Sequence, residues 1–125
     1  MVFTQGMSAR VSLAVGIGDT ALSMRSGHVE VLSTPRLIAL CEEASCLAVA
    51  KQVPEGHTTV GKRVQLNHLA PIRVGSEVTA EAVLERVEGH RLVFTVSVSD
   101  EAGLVAAGRI TRVLVDTSAF MAKAH

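Results

Sequence analysis

Three residues with reactive side chains stand at spacings that suit a hydrolytic site. Thr34 lies at the start of a predicted helix, Glu42 follows eight residues later, and His68 follows Glu42 by 26 residues. Hydroxyl, carboxylate and imidazole groups are the parts from which hydrolytic enzymes assemble a nucleophile, a base and a proton carrier. They stand among apolar residues, and such a local conflict between a side chain and its surroundings is expected at functional sites.

Each of these residues also has a structural explanation. Thr34 precedes Pro35 at a helix start, where hydroxyl side chains cap free backbone N–H groups. His68 ends an apolar strand face, where a histidine is more often held by structural hydrogen bonds than used in catalysis. Glu42, like its neighbour Glu43, is a residue that favours helices and suits an exposed helix surface. Residue type and spacing therefore leave both interpretations open.

The helix that carries Glu42 is predicted over residues 34–51, between the Pro35 start signal and a Pro-Glu-Gly turn at residues 54–56. Glu42 projects among apolar residues on the side opposite the main apolar stripe, whereas Glu43 projects towards a solvated edge. Two apolar faces predict that a sheet covers one side of the helix and a partner subunit the other. The stripe expected to pack on the sheet comprises Leu37, Leu40, Cys41, Ala44, Leu47 and Ala48.

Strand patterns fill most of the remaining chain. Turn residues separate them, which predicts a long antiparallel meander of about five strands. One long helix against such a sheet is an α+β architecture. Strict alternation along residues 57–69 would place Gly61 and His68 on opposite faces of the sheet. The predicted strands are residues 9–17, a short one at 21–24, then 57–69, 76–87, 91–99 and 104–116.

Length and composition restrict the classes of function. The chain of 125 residues fits one domain, predicted over residues 9–125 after a flexible N-terminal lead-in at 1–8. Twelve basic and twelve acidic residues give zero net charge, and aromatic residues make up only 2%, which argues against nucleic-acid binding. Cys41 and Cys46 are expected to be buried free thiols, and no metal-ligand spacing is present. Without an apolar run of membrane-spanning length or a signal peptide, we expect no membrane partner and a cytoplasmic location.

Three long segments of the sequence resemble the hot-dog thioesterases, most closely the fluoroacetyl-CoA thioesterase branch. The resemblance covers residues 9–116 and implies a hot-dog fold, in which an antiparallel sheet wraps a long central helix. A further element at residues 71–78, P-x-x-x-G-S-E-V, is general to hot-dog domains. The segments are STPRLIALCEEAS, TTVGKRVQLNHLAPIRVGSEVTAEA and VEGHRLVFTVSVSDEAGLVAAGRITRVLV.

The resemblance implies roles for five residues. Thr34, Glu42 and His68 match its catalytic set in type and spacing, with Glu42 or His68 as nucleophile or base. Gly61 matches a glycine beside the thioester, and Arg112 matches an arginine that supports the site. The implied activity is hydrolysis of a short-chain or small acyl-CoA to the free acid and CoA, at the interface of a homodimer. Whether two such dimers pair into a tetramer is left open by the sequence. No cofactor or metal is implied, because CoA arrives with the substrate.

The acyl group and the class of function both have alternatives. The fluoroacetyl branch has aromatic residues before the helix, whereas this chain has Arg25 and His28 there and no aromatic residue between Val11 and Leu92. We therefore expect no strong selectivity for a fluorinated substrate. The alternative function is a non-catalytic hot-dog module that binds an acyl-CoA or a small apolar ligand, although such a module has no reason to keep the three reactive residues together. A hot-dog hydratase would need an Asp-His pair on a motif that the sequence lacks.

Overall fold

The computed structural model describes residues 3–125, so that Met1 and Val2 lie outside the described residues. Five antiparallel strands form one sheet, and one long helix packs against it. The predicted α+β class is confirmed. The strands are Ser8–Ala14 (β1), His57–His68 (β2), Glu77–Glu88 (β3), Arg91–Asp100 (β4) and Gly103–Asp116 (β5), and the helices are Thr34–Val49 (α1) and Thr117–Ala122 (α2).

The strand order across the sheet is β1-β3-β4-β5-β2. Strands β3, β4 and β5 form the expected meander, but β2 pairs with β5 and not with β3. The prediction of one continuous meander is therefore wrong at β2. Alternating polarity specifies which residues form strands, but it does not specify which edge of the sheet each strand joins. As a result β1 and β2 are the two edges, and β2 carries one row of backbone groups that no strand among residues 3–125 pairs.

The helix α1 begins where Ser33 caps it, since the Ser33 hydroxyl accepts a hydrogen bond from the Arg36 backbone N–H at 3.1 Å. Its buried side differs from the predicted stripe at the last turn, because Leu47 is 54% exposed whereas Val49 is 1% exposed. The helix ends at Val49 rather than at residue 51, and a short 3₁₀ turn, Ala50–Gln52, follows. The buried residues of α1 are Leu37, Leu40, Cys41, Ala44, Ser45 and Val49.

A β-bulge in β2 changes which residues face the helix. The register of β2 against β5 shifts between Gly61 and Arg63, which leaves Lys62 as an extra residue. Gly61 pairs with Arg112, and after the bulge His68 pairs with Ala106. Both partners lie on the helix-facing side of β5, so that Gly61 and His68 share one face. The expectation of opposite faces is wrong because one inserted residue reverses the alternation.

Two predictions for the N-terminal part need correction. Residues 21–24 form a turn rather than a strand, and only an isolated bridge joins the neighbouring Thr20 to Leu32. The described part of the predicted flexible lead-in packs on the sheet: Phe3 is 8% exposed, and the Gly6 N–H donates to the Leu84 carbonyl at 2.8 Å. The Phe3 ring packs in the hydrophobic core, so the folded domain begins before the predicted boundary at Ala9.

Candidate active site

The first group of candidate residues centres on an ion pair between α1 and β5. The Arg112 guanidinium donates from Nη1 to Glu42 Oε2 at 3.0 Å. It also donates from Nε to the Thr59 hydroxyl at 3.0 Å and from Nη2 to the Thr59 carbonyl at 2.8 Å. The Arg112 side chain is only 8% exposed, whereas the Glu42 side chain is 35% exposed. A buried, triply bonded guanidinium thus fixes one oxygen of a carboxylate that solvent or a substrate can still reach.

Gly61 lies directly in front of this ion pair. A Cβ atom added at Gly61 would lie 2.5 Å from Glu42 Oε2 and 3.5 Å from Arg112 Nη1. The space that a side chain would fill is occupied by the carboxylate, so glycine is needed here for room rather than for an unusual backbone angle. Gly61 itself is exposed on the edge strand. The structure therefore brings together Glu42, Gly61 and Arg112, which the resemblance placed in one site.

Glu42 does not lie opposite the buried stripe, as the sequence predicted. It lies at the border of that stripe, on the side that faces β2 and β5, and this is why it reaches Arg112. The shift follows from the change at the end of α1, where Val49 rather than Leu47 is buried and the stripe is rotated towards Glu42. Glu43, in contrast, is exposed as predicted.

The second group consists of Thr34 and His68. The Thr34 hydroxyl and His68 Nδ1 form a hydrogen bond of 2.9 Å between the first turn of α1 and the end of β2. Because Ser33 caps the helix, the Thr34 hydroxyl is not needed for capping and is available to the imidazole. The other ring nitrogen, His68 Nε2, is buried and has no hydrogen-bond partner among residues 3–125.

The two groups are separated within one chain. Thr34 and Glu42 are eight residues apart on α1, which corresponds to about 12 Å along the helix axis. Gly61 and His68 lie seven residues apart on β2, so the sheet also holds the two groups apart. A single chain therefore presents a carboxylate group and a hydroxyl–imidazole group at different places along the same helix.

Two supporting residues were missed by the sequence analysis. Thr59 is 8% exposed and anchors Arg112 through both its hydroxyl and its carbonyl oxygen. Its position two residues before Gly61 on a predicted strand, and so on the same face, was the available signal. Asp19 binds Arg36 at 2.9 Å and ties the loop before α1 to its first turn; a salt bridge across 17 residues has no local sequence signal.

The surface next to His68 is apolar. A depression of about 210 Å³ is lined by His68 together with Val31, Leu69, Ala70 and Pro71. The two residues that replace the aromatic positions, Arg25 and His28, are both exposed in the loop that precedes α1.

Other chemistry is restricted by the described residues. Cys41 and Cys46 are free, as predicted, but only Cys41 is fully buried. Burial, and to a smaller extent the charge of Glu42, raises the pKa of the Cys41 thiol to about 12. A thiol with this pKa stays protonated at neutral pH and is a poor nucleophile. Among residues 3–125, no group of three or more His, Cys, Asp or Glu side chains is placed to hold a metal ion, and no helix there is long and apolar enough to cross a bilayer.

The sequence matches one known protein family over most of its length. Residues 15–118 match the family described as fluoroacetyl-CoA-specific thioesterase, FlK. The chain belongs to the FlK family. The fluoroacetyl-CoA thioesterase of Streptantibioticus cattleyicolor is 32% identical to it over 94 residues, which cover 75% of this chain and 68% of that protein.

Solved structures of the FlK family and of other hot-dog proteins share the fold. A structure of the fluoroacetyl-CoA thioesterase FlK superposes with a TM-score of 0.91 at 26% identity, covering 97% of this chain and 94% of that one. A hot-dog-like protein from Thermanaerovibrio acidaminovorans superposes with a TM-score of 0.89 at 30% identity, covering 97% and 90% of the two chains. The expected hot-dog fold is thereby confirmed.

Proposed function

We propose that this FlK-family protein hydrolyses acyl-CoA thioesters to the free acid and CoA. The observation that carries the proposal is the Glu42 carboxylate, which the buried Arg112 holds against the Gly61 backbone and which is still 35% exposed. A carboxylate in this position is suited to attack a thioester carbonyl or to activate a water molecule for that attack. The missing side chain at Gly61 leaves the room that this carboxylate occupies beside the edge strand β2.

We infer that the complete site needs two copies of the chain. The edge strand β2 presents a free row of backbone groups, which is a template for pairing with the same strand of a second copy. Antiparallel pairing centred on Gln65, with Lys62 as the extra residue of the bulge in each strand, would place Gly61 opposite His68 of the partner subunit. The bulge supports this arrangement, because it turns Gly61 and His68 towards the same face.

In this homodimer each site would combine Glu42, Gly61 and Arg112 from one subunit with Thr34 and His68 from the other. The hydrogen bond to Thr34 orients the imidazole, and a histidine ring can both accept and donate a proton. Glu42 and His68 share the tasks of nucleophile or base and proton carrier. The surface of α1 supports a covered interface, since Ile38 and Cys46 on its second face are partly buried and apolar. Sedimentation at micromolar concentration that shows only a 13.1 kDa species would contradict this dimer.

We propose a small or short-chain acyl group as the substrate. The apolar depression beside His68 has a volume of about 210 Å³, which suits a small acyl group. Arg25 and His28 are exposed and polar where an aromatic lid would be needed, so that strong preference for fluoroacetyl over acetyl thioesters is not expected. A preference of several orders of magnitude for the fluorinated substrate would show that this inference is wrong.

The direct test is thiol release from a panel of acetyl-, fluoroacetyl-, phenylacetyl- and longer-chain acyl-CoA substrates. Glu42→Gln keeps the size of the side chain but removes its charge, and we expect hydrolysis of the best substrate to fall by roughly 10²-fold or more. The matched control is Glu43→Gln on the same helix, which should change activity and melting temperature little. A folded Glu42→Gln protein with the parent's activity would contradict the catalytic role and favour a non-catalytic ligand-binding module.

A further inference from the structure

The outer face of the sheet, on the side away from α1, carries a row of residues that lie directly opposite one another on four strands. Arg86 on β3 pairs with Val93 on β4, Val93 pairs with Thr111 on β5, and Thr111 pairs with Arg63 on β2. Two arginines thus flank a floor formed by a valine and a threonine. Three inter-strand spacings separate the backbones of the two arginines, which corresponds to roughly 14 Å.

Further basic residues extend this row into a groove. Lys62, the extra residue of the bulge, and Arg91, at the start of β4, line the same depression of about 330 Å³. We call this depression the basic groove; it is lined by Lys62, Arg63, Arg86, Glu88, Arg91 and Thr111.

The positive charge of the basic groove is largely unbalanced. Its one carboxylate, Glu88, forms a long ion pair of 3.7 Å with Arg86. Lys62, Arg63 and Arg91 form none of the ion pairs found among residues 3–125. In a chain of zero net charge, this concentrates positive potential on one patch. An anion with several charges would relieve the repulsion between these side chains.

The geometry favours phosphate groups as the anion. Arginine presents a planar fork of donors that matches phosphate oxygens, and the Thr111 hydroxyl adds a donor on the floor. The backbones of Arg63 and Arg86 lie three inter-strand spacings apart, so that the two guanidinium groups can reach different anionic groups of one ligand. This arrangement suits a ligand that carries phosphates at two places, as the nucleotide of CoA does with its diphosphate and its separate ribose phosphate.

The basic groove also begins next to the proposed catalytic residues. Lys62 directly follows Gly61, and the bulge presents Gly61 on the helix side and Arg63 on the outer side of the same strand. In the proposed dimer the partner's β2 ends at its His68, opposite Gly61, so the edge of β2 before Gly61 is not covered by the partner's β2. The flexible pantetheine arm of a CoA thioester could pass around this edge.

We propose that the basic groove binds the nucleotide phosphates of the acyl-CoA substrate. This inference rests on the proposed function and deepens it, because it assigns residues to the part of the substrate that does not react. Binding there would lower the KM for CoA thioesters but would leave the reaction at the carbonyl unchanged.

The test compares an acyl-CoA with the acyl-pantetheine that carries the same acyl group but no nucleotide. In a variant with Arg63→Gln and Arg86→Gln, we expect the KM for the acyl-CoA to rise roughly tenfold with kcat unchanged. The KM for the acyl-pantetheine should stay as in the parent. The control is Arg10→Gln, which removes an exposed arginine from the outer face of β1 at the other edge of the sheet.

Inhibition separates a nucleotide site from a general anion site. ADP carrying a ribose phosphate should compete with the acyl-CoA in the parent and compete much less in the double variant, whereas inorganic phosphate should inhibit both only weakly. The assignment is wrong if inorganic phosphate competes as well as the nucleotide. It is also wrong if the KM rises equally for the acyl-CoA and for the acyl-pantetheine in the double variant. If the parent hydrolyses both thioesters with equal KM, the basic groove inference fails while the thioesterase function stands. A parent that hydrolyses neither thioester would overturn both.

Discussion

The two halves of the candidate site differ in how completely one chain builds them. The Glu42–Arg112 pair is held by three hydrogen bonds from a buried guanidinium and is enclosed by Gly61. The Thr34–His68 pair has one hydrogen bond, and the buried His68 Nε2 has no partner among the described residues. Leaving a buried polar group unpaired costs about 1–3 kcal/mol. The difference is what our proposal of a shared site expects, since there the first half is built within one chain and the second meets the partner subunit.

The largest effect should come from breaking the half that is complete. Arg112→Met removes the guanidinium but keeps a long apolar side chain, and it leaves Glu42 and Thr59 without their shared partner. We expect the free energy of unfolding to fall by roughly 2–3 kcal/mol, below the usual range for a broken buried pair because Glu42 keeps some contact with solvent. Activity should fall as well, since the carboxylate is no longer fixed.

The matched control is Arg109→Met, which breaks an ion pair of the same 3.0 Å length on the outer face of the same strand. Two hydrogen bonds lower the pKa of Glu85, the larger effect coming from the Thr95 hydroxyl and the smaller from Arg109. Arg109→Met removes only the second of them, so Glu85 keeps its bond to Thr95. Urea unfolding should therefore show a much smaller change than for Arg112→Met. Equal losses in the two variants would contradict the special role of Arg112.

Two glycines on the β2–β5 pair should respond in opposite ways. In Gly61→Ala the new methyl group meets the end of the Glu42 side chain, which can move. We expect little change in stability but a loss of activity of up to about 10²-fold, because a small displacement of a catalytic group is costly. Hydrolysis assays paired with urea unfolding measure both quantities.

In Gly108→Ala the methyl group would overlap the Gln65 backbone carbonyl, which cannot move without distorting β2. We expect a loss of roughly 1–3 kcal/mol in the free energy of unfolding, as for an overpacked interior. A Gly61→Ala protein that is fully active, or a Gly108→Ala protein as stable as the parent, would show that these close approaches are not constraints.

The smallest expected effects separate Ser33 from Thr34. Ser33→Ala removes the helix cap and should lower stability by about 1 kcal/mol while leaving activity nearly unchanged. Thr34→Ala removes the hydrogen bond to His68 and should lower activity by roughly tenfold with a smaller effect on stability. Melting curves and thiol-release assays on both variants test the distinction; the reverse pattern would make Thr34 the cap.

Local patterns in the sequence predicted the elements of the fold well. The helix start at Thr34 and the four long strands were found within two residues, because capping chemistry and alternating polarity are local signals. The position of β2 at the far edge of the sheet was not predicted, because strand order depends on contacts between distant segments. The sequence analysis expected Leu47 to be buried, whereas the structure buries Val49 instead. Which side of α1 the sheet covers depends on distant strands, and the helix sequence alone does not specify it.

The site was predicted as a set of residues but not as a geometry. The resemblance grouped five residues, and the structure joins them as two groups. The bulge at Lys62 determines which residues face α1, and it was missed because an inserted residue leaves no mark on an otherwise regular strand pattern. Thr59 was missed because its role exists only through Arg112, which lies 53 residues later.

The central claim is that each site combines residues of two chains, and mixing two inactive variants tests it most directly. Glu42→Gln and His68→Ala are co-expressed with different tags, and mixed dimers are isolated and assayed for thiol release. If the site is shared, every mixed dimer has one site with both defects and one intact site, and the isolated mixed dimers recover roughly half of the parent's activity per dimer. Mixed dimers that form but remain as inactive as the single variants would show that Glu42 and His68 act within the same chain.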